Sequence, residues 1–203
     1  MDKLSYYLID VGSLTAGIAF VLLVIHTSLL ALGRRAPSRG LATAGVSPIG
    51  GGTLSSSAAA PVPGTASTPA GGTGQAFAWA SLALIGSGML IRALLVGRGP
   101  WGNLYEFSVA FAFGVLLAYL VLGRRYPIRA IGFLPLGVAT FLLGYAFTLP
   151  AAINPLVPAL DNPPLLTIHV AMAMISYGIF AVSFGAAVGY LVQGRENRVS
   201  WLP

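Results

Sequence analysis

Long apolar runs separated by short polar or glycine- and proline-rich stretches set the plan of this chain. Crossing the hydrocarbon of a bilayer takes about 20 apolar residues in a helix, and five segments reach that length: Leu8–Leu32, Ala76–Val96, Tyr105–Leu122, Ile128–Leu149 and Leu165–Val192. The pattern predicts an all-α polytopic membrane helix bundle of about five transmembrane helices. The first run is too long for a cleavable signal, has no basic start and no small-residue cleavage pattern, so it reads as a membrane helix. The last is long enough to tilt or protrude.

The breaks between the runs divide the chain. Residues 1–35 form the first transmembrane helix. Residues 36–74, rich in Gly, Ser, Thr, Ala and Pro and almost without charge, read as a disordered cytoplasmic linker, because they bury too little apolar surface to offset ordering entropy. Residues 75–203 form a four-helix membrane domain. The connection from Pro150 to Pro164 reads as a stiff extended turn.

Charge then orients the bundle. Arg34, Arg35 and Arg39 follow the first span, Arg124, Arg125 and Arg129 separate the third and fourth, and Arg195 and Arg198 follow the fifth. Placing all three groups on the cytoplasmic side puts the N-terminus outside. Arg92 and Arg98 then lie at the outer side, against the bias.

Composition agrees. Charged residues make up 8% of the 203 and apolar residues 56%, with a mean hydropathy of +0.84, against the roughly 25% charge of a soluble domain. The net charge of +6 does not point to nucleic acid, because the basic residues cluster at helix ends and no basic run is interleaved with aromatics. The absence of cysteine excludes disulfides and thiolate chemistry on this chain.

Few residues remain to carry chemistry. His169 opens the fifth span, with Met172, Ala173 and Ser176 on its helical face. An ionisable residue so close to hydrocarbon is a functional candidate, and neutral imidazole is a common ligand of haem iron; an interfacial His bonded to a nearby carbonyl is the plainer alternative. His26, in the inner half of the first span, reads first as a His bonded to another helix or to water, and second as a ligand or part of a proton path. Arg92 could snorkel to the headgroups, pair with Glu106 across the turn, or hold a ligand carboxylate. Arg98 has the same options.

The connection Arg98-Gly99-Pro100-Trp101-Gly102-Asn103-Leu104-Tyr105-Glu106-Phe107 is more polar and aromatic than a span requires. Trp101, Tyr105 and Tyr126 fit an interfacial aromatic belt. Asn103 and Glu106 have capping-box spacing, with Asn in the Ser/Thr role. Gly185-Ala186-Ala187-Val188-Gly189 is a small-xxx-small pattern suited to close helix packing.

Two of these segments carry a family resemblance. Gly99–Phe107 resembles the P-x-x-N-x-Y-E turn of the CcsA/CcsB/ResC-type proteins of system II cytochrome c biogenesis, and Leu166–Tyr177 resembles their HV-x-x-M-x-x-SY segment, in the same order and at a similar separation. The resemblance covers about Gly88 to Tyr190. It implies a plasma-membrane protein with an extracytoplasmic active face that receives haem, transiently bound and b-type, and presents it there. With a partner subunit of the system II synthetase, such proteins attach the haem to apocytochrome c, as part of a cytochrome c haem lyase. It also implies that His169 is an axial ligand of the haem iron, the one metal contact expected here, while Arg92, Arg98 and Trp101 are candidate cofactor contacts. No residue is expected to be a catalyst in its own right.

The family's Trp-rich WWD segment and its further histidines have no counterpart in the chain, whose tryptophans are Trp79, Trp101 and Trp201. The sequence therefore reads as the N-terminal portion of a longer or split protein, unable to complete haem attachment alone. A non-catalytic membrane assembly or scaffold subunit of a redox complex is the alternative from a different class. A transporter is weaker, since neither an inverted repeat nor a pair of Gly/Pro-broken helices is evident.

Overall fold

The computed structural model of the protein describes residues 2–33, 68–153 and 162–193. Across these residues the regular structure is helical: α1 (Asp2–Gly33), α2 (Pro69–Val96), α3 (Leu104–Leu122), a short 3-10 turn (Ile128–Ile131), α4 (Phe133–Ala146) and α5 (Pro163–Gln193). Residues 36–67 of the expected linker, the arginines after the first and fifth spans, and Trp201 lie outside the described residues. The helix after the linker begins at Pro69, so residues 69–74 belong to α2. Pro suits this first helical position because its missing N–H has no intrahelical partner there, and the Thr68 hydroxyl caps the end by accepting from the Gly71 N–H at 3.2 Å.

Four of the helices are long and apolar enough to cross a membrane. The fourth apolar run departs from the expected continuous span Ile128–Leu149. Its helix has 14 residues, a length of about 21 Å at 1.5 Å per residue, short of the roughly 30 Å hydrocarbon core. The cause lies in its punctuation. Pro127 supplies no donor, the 3-10 turn follows, and Gly132 packs so tightly on Tyr119 that a Cβ would stand 2.7 Å from Cζ.

Small residues and hydroxyls set the packing, as expected where lipid removes the hydrophobic drive between helices. Helices α1 and α2 run antiparallel: Ser5 Oγ donates to Gly88 O at 3.0 Å and Ser81 Oγ donates to Gly12 O at 2.7 Å. A Cβ at Gly12 would lie 2.6 Å from Ile85 Cγ1, so the glycine is what permits the approach. Helix α4 lies antiparallel to α1, with Thr27 Oγ1 donating to Ala130 O at 3.1 Å, Phe20 over Gly137 and Gly17 facing Thr140. By that register Ala146, the last residue of α4, comes level with Val11 in the third turn of α1.

Helix α5 runs parallel to α3 and buries a stripe of Val170, Met174, Gly178, Val182, Gly185 and Gly189. Gly114 and Gly178 bring the two backbones together: a Cβ at Gly114 would stand 2.5 Å from Met174 O, and one at Gly178 would strike Gly114 O. Gly185 seats on Pro135 and Leu134. The small-residue face expected from the sequence is thus spent within the bundle.

Gly178→Leu is expected to part α5 from α3 with a loss of at least about 1–3 kcal/mol, the usual range for overpacking. Thermal unfolding in detergent should show a clear fall in the midpoint, while Ser176→Leu, on the exposed face, leaves it within a degree or two.

Candidate functional site

The connection between α2 and α3 is built around one carboxylate. Helix α2 ends at Gly97, whose φ of +69° places it in the left-handed region that favours glycine. Helix α3 starts from Asn103, whose Oδ1 accepts from the Glu106 N–H at 2.8 Å. That is the expected cap. The return contact differs: Glu106 Oε2 accepts from the Gly102 N–H at 2.6 Å, one residue before the N-cap position.

The rest of Glu106 turns to arginine. Arg92 Nε donates to Glu106 Oε1 at 2.7 Å, with the two side chains 2% and 1% exposed, and Arg98 Nη1 lies 3.5 Å from Oε2. Of the readings open for Arg92, the structure takes the pair across the turn. Its Nη2 also donates to the backbone carbonyl of Ala151, and its guanidinium carbon lies 5.4 Å from the centre of the Tyr105 ring, within cation–π range. Asn103 Nδ2 donates to Ala152 O at 2.8 Å. Two polar side chains therefore bind the non-helical segment beyond α4.

Trp101 is buried beside this cluster with its ring over Gly99, and its indole N–H has no partner. Gly102 leaves room for the Arg98 guanidinium. Arg92 also borders a cleft of about 340 Å³ lined by Lys3, Tyr6, Tyr7, Ala151 and Ala152. Lys3 and the two carbonyls were not legible from sequence, since nothing local marks them.

His169 stands apart from this cluster. Because α5 parallels α3, His169 sits at the same end of the bundle as the turn, but on a helix packed against α3 and α4. It is exposed and lies opposite the buried stripe of α5, as are Met172 and Ser176 on the same face. His26 lies towards the other end. It is 1% exposed, its Nδ1 is 2.6 Å from Thr68 Oγ1, and Gly71 makes room for its ring. This is the His bonded to another helix that the sequence favoured. Among the described residues, no group of three or more His, Cys, Asp or Glu could hold a metal ion.

Comparison with known proteins bears on this geometry. The sequence model of the family described as Cytochrome C assembly protein matches residues 101–202, which takes in the turn from Trp101 onward and the His169 helix. The chain belongs to the cytochrome c assembly family. It is similar to the cytochrome c biogenesis protein CcsA of Trichormus variabilis, 32% identical over 133 residues, which cover 64% of this chain and 37% of that protein. CcsA of Rippkaea orientalis is 35% identical over 148 residues, covering 70% of this chain and 42% of the relative. For CcsA of Synechococcus elongatus the values are 37% over 115 residues, 53% and 34%. The chain thus spans between a third and somewhat over two fifths of the length of these relatives. No solved structure matches it. The protein is a multi-pass membrane member of a family that acts in cytochrome c biogenesis.

Glu106→Gln should leave Arg92 buried without a counter-charge, a change that costs about 3–5 kcal/mol. Thermal melts in detergent should place Arg92→Gln/Glu106→Gln above Glu106→Gln alone. Equal midpoints for the single and double variants would show that the pair is not coupled.

Proposed function

We propose that this chain handles haem at the end of the bundle that carries the turn, and presents it there for attachment to apocytochrome c. The observation that carries the reading is His169: in a cytochrome c assembly protein, an exposed imidazole stands on an unpacked helix face at the same end as the family's turn. The arginine bias of the loops supports the extracytoplasmic side of the plasma membrane for that end.

The residues fit a haem in distinct ways. Bound haem supplies an iron that an imidazole nitrogen can ligate, and His169 offers that nitrogen without having to leave a packed core. Arg92 holds Glu106 and Ala151, and through them orders the turn. It also borders the cleft with Lys3, where a carboxylate of the propionate type would meet two cations. Arg98 and Trp101 hold the shape of the connection. The cleft lies among α1, α2 and the segment after α4, so these contacts and His169 act from separate elements.

Covalent attachment needs thiols from the apocytochrome, consistent with a cysteine-free chain. We assign the complete lyase activity to an assembly with a partner subunit of the system II synthetase. The alternative of an assembly or scaffold subunit loses its main support, since the small-residue stripe of α5 is occupied by α3 and α4.

The test is the absorption spectrum of the purified protein with reduced haem. A Soret band is expected, lost in His169→Ala and regained when imidazole is added to that variant. Absence of haem from both proteins would sink the reading.

A further inference from the structure

We propose that the connection between α3 and the 3-10 turn seats an anionic phospholipid, its phosphate gripped by Arg124 and Arg129 beside the Trp79 ring. The inference does not rest on the haem reading.

The backbone fixes this connection first. The Gly123 N–H donates to Tyr119 O at 2.8 Å, and the Arg125 and Tyr126 N–H groups each donate to Leu122 O at 2.9 Å. The Ile128 N–H then donates to Tyr126 O at 2.8 Å. A Cβ at Gly123 would stand 3.8 Å from Ile128 Cγ1, an ordinary contact, so the chain has doubled back. Arg124 and Arg129 follow Gly123 and Ile128, and therefore leave the backbone close together.

Two contacts set where they stand. Arg124 Cζ lies 4.5 Å from the centre of the Trp79 ring on α2, within cation–π range. A guanidinium over a ring keeps its in-plane N–H donors free for a phosphate. Thr27 of α1 donates to the carbonyl of Ala130, the neighbour of Arg129. The two arginines are thus held against α2 and α1, and both are exposed.

Depth favours a lipid over a soluble phosphate. From Trp79 to Val96, α2 covers about 26 Å, so Trp79 lies near the border of a roughly 30 Å core, at the end opposite the Glu106 turn. Tyr126 and Val121 are exposed beside it, 58% and 49%. The seat therefore offers cations, interfacial rings and apolar flank together. A phospholipid brings a phosphate and acyl chains in one molecule, whereas a soluble phosphate would use the cations alone.

The protein leaves these cations without a counter-charge. Two ion pairs are found among the described residues, and Glu106 makes both. Asp2 and Asp10 belong to the far half of α1, while Asp161 and Glu196 lie outside the described residues. The positive-inside bias asks only for cations in such a loop. It does not require one of them to be pinned on a tryptophan. Anionic headgroups supply the missing charge, and a guanidinium can grip phosphate oxygens two at a time.

The test is native mass spectrometry of the full chain, released from micelles holding equal amounts of dioleoylphosphatidylglycerol and dioleoylphosphatidylcholine. Retention of the anionic lipid is expected to exceed that of the zwitterionic one about tenfold, in keeping with two basic residues at an anionic surface. The preference should vanish in Arg124→Gln/Arg129→Gln. It should fall severalfold in Trp79→Leu, which keeps every charge and so the topology. Arg195→Gln/Arg198→Gln removes the same charge elsewhere and should keep the preference. Equal retention of the two lipids by the unaltered chain overturns the proposal. Equal losses in the two arginine pairs, or no change in Trp79→Leu, reduce it to net charge and overturn the seat. Displacement of the bound lipid by glycerol 3-phosphate makes the ligand a free phosphate and overturns the lipid.

Discussion

A guanidinium buried at the end of a membrane helix has to be neutralised by the protein, and much of the site's architecture follows from that requirement. Arg92 is 2% exposed and pairs with a carboxylate 1% exposed. Bringing the two together fixes the turn between α2 and α3, because Glu106 stands at the third position of α3 and its backbone N–H is held by Asn103. The same guanidinium takes the carbonyl of Ala151, which ties in the segment beyond α4. One ion pair therefore joins three parts of the chain. A pair of this kind is poor evidence for net stability, since desolvation offsets most of the Coulomb attraction. What it supplies here is position.

Much of this was legible in the sequence, for identifiable reasons. Four of the five spans follow from unbroken apolar runs, and hydropathy reads such runs well because the bilayer leaves the backbone no other way to pair. The fourth misled because hydropathy sums side chains and is blind to a break at Gly132. The cap on α3 was readable from the Asn103 and Glu106 spacing, and the Arg92 partner was one of three openings that Arg92 presented. The contact with Ala151 and the cleft residue Lys3 were not readable. A backbone carbonyl carries no sequence signal, and a lysine near the start of a chain looks like any interfacial charge until α1 is laid against α2.

The two halves of the family signature serve different ends. The turn is internally satisfied, and its residues contact one another and the segment after α4. His169 is the reverse, an ionisable group on the face of α5 that the bundle leaves open. The glycines of α5 explain the separation. They draw the opposite face of the helix onto α3 and α4, so whatever meets His169 approaches from outside this set of helices. A histidine that served only packing would have been expected on the other side.

The short α4 links these observations to the interior. Ending a helix within the membrane leaves carbonyls that no lipid can satisfy, and non-helical backbone is tolerated at that depth where protein or water surrounds it. At the upper part of the break, Arg92 and Asn103 bind the carbonyls of Ala151 and Ala152. At the lower part, where α4 stops, the chain satisfies its own carbonyls, the N–H groups of Phe147, Thr148 and Leu149 donating to Leu143, Tyr145 and Ala146. The discontinuity in α4 thus gives the ion pair its third partner, the carbonyl of Ala151.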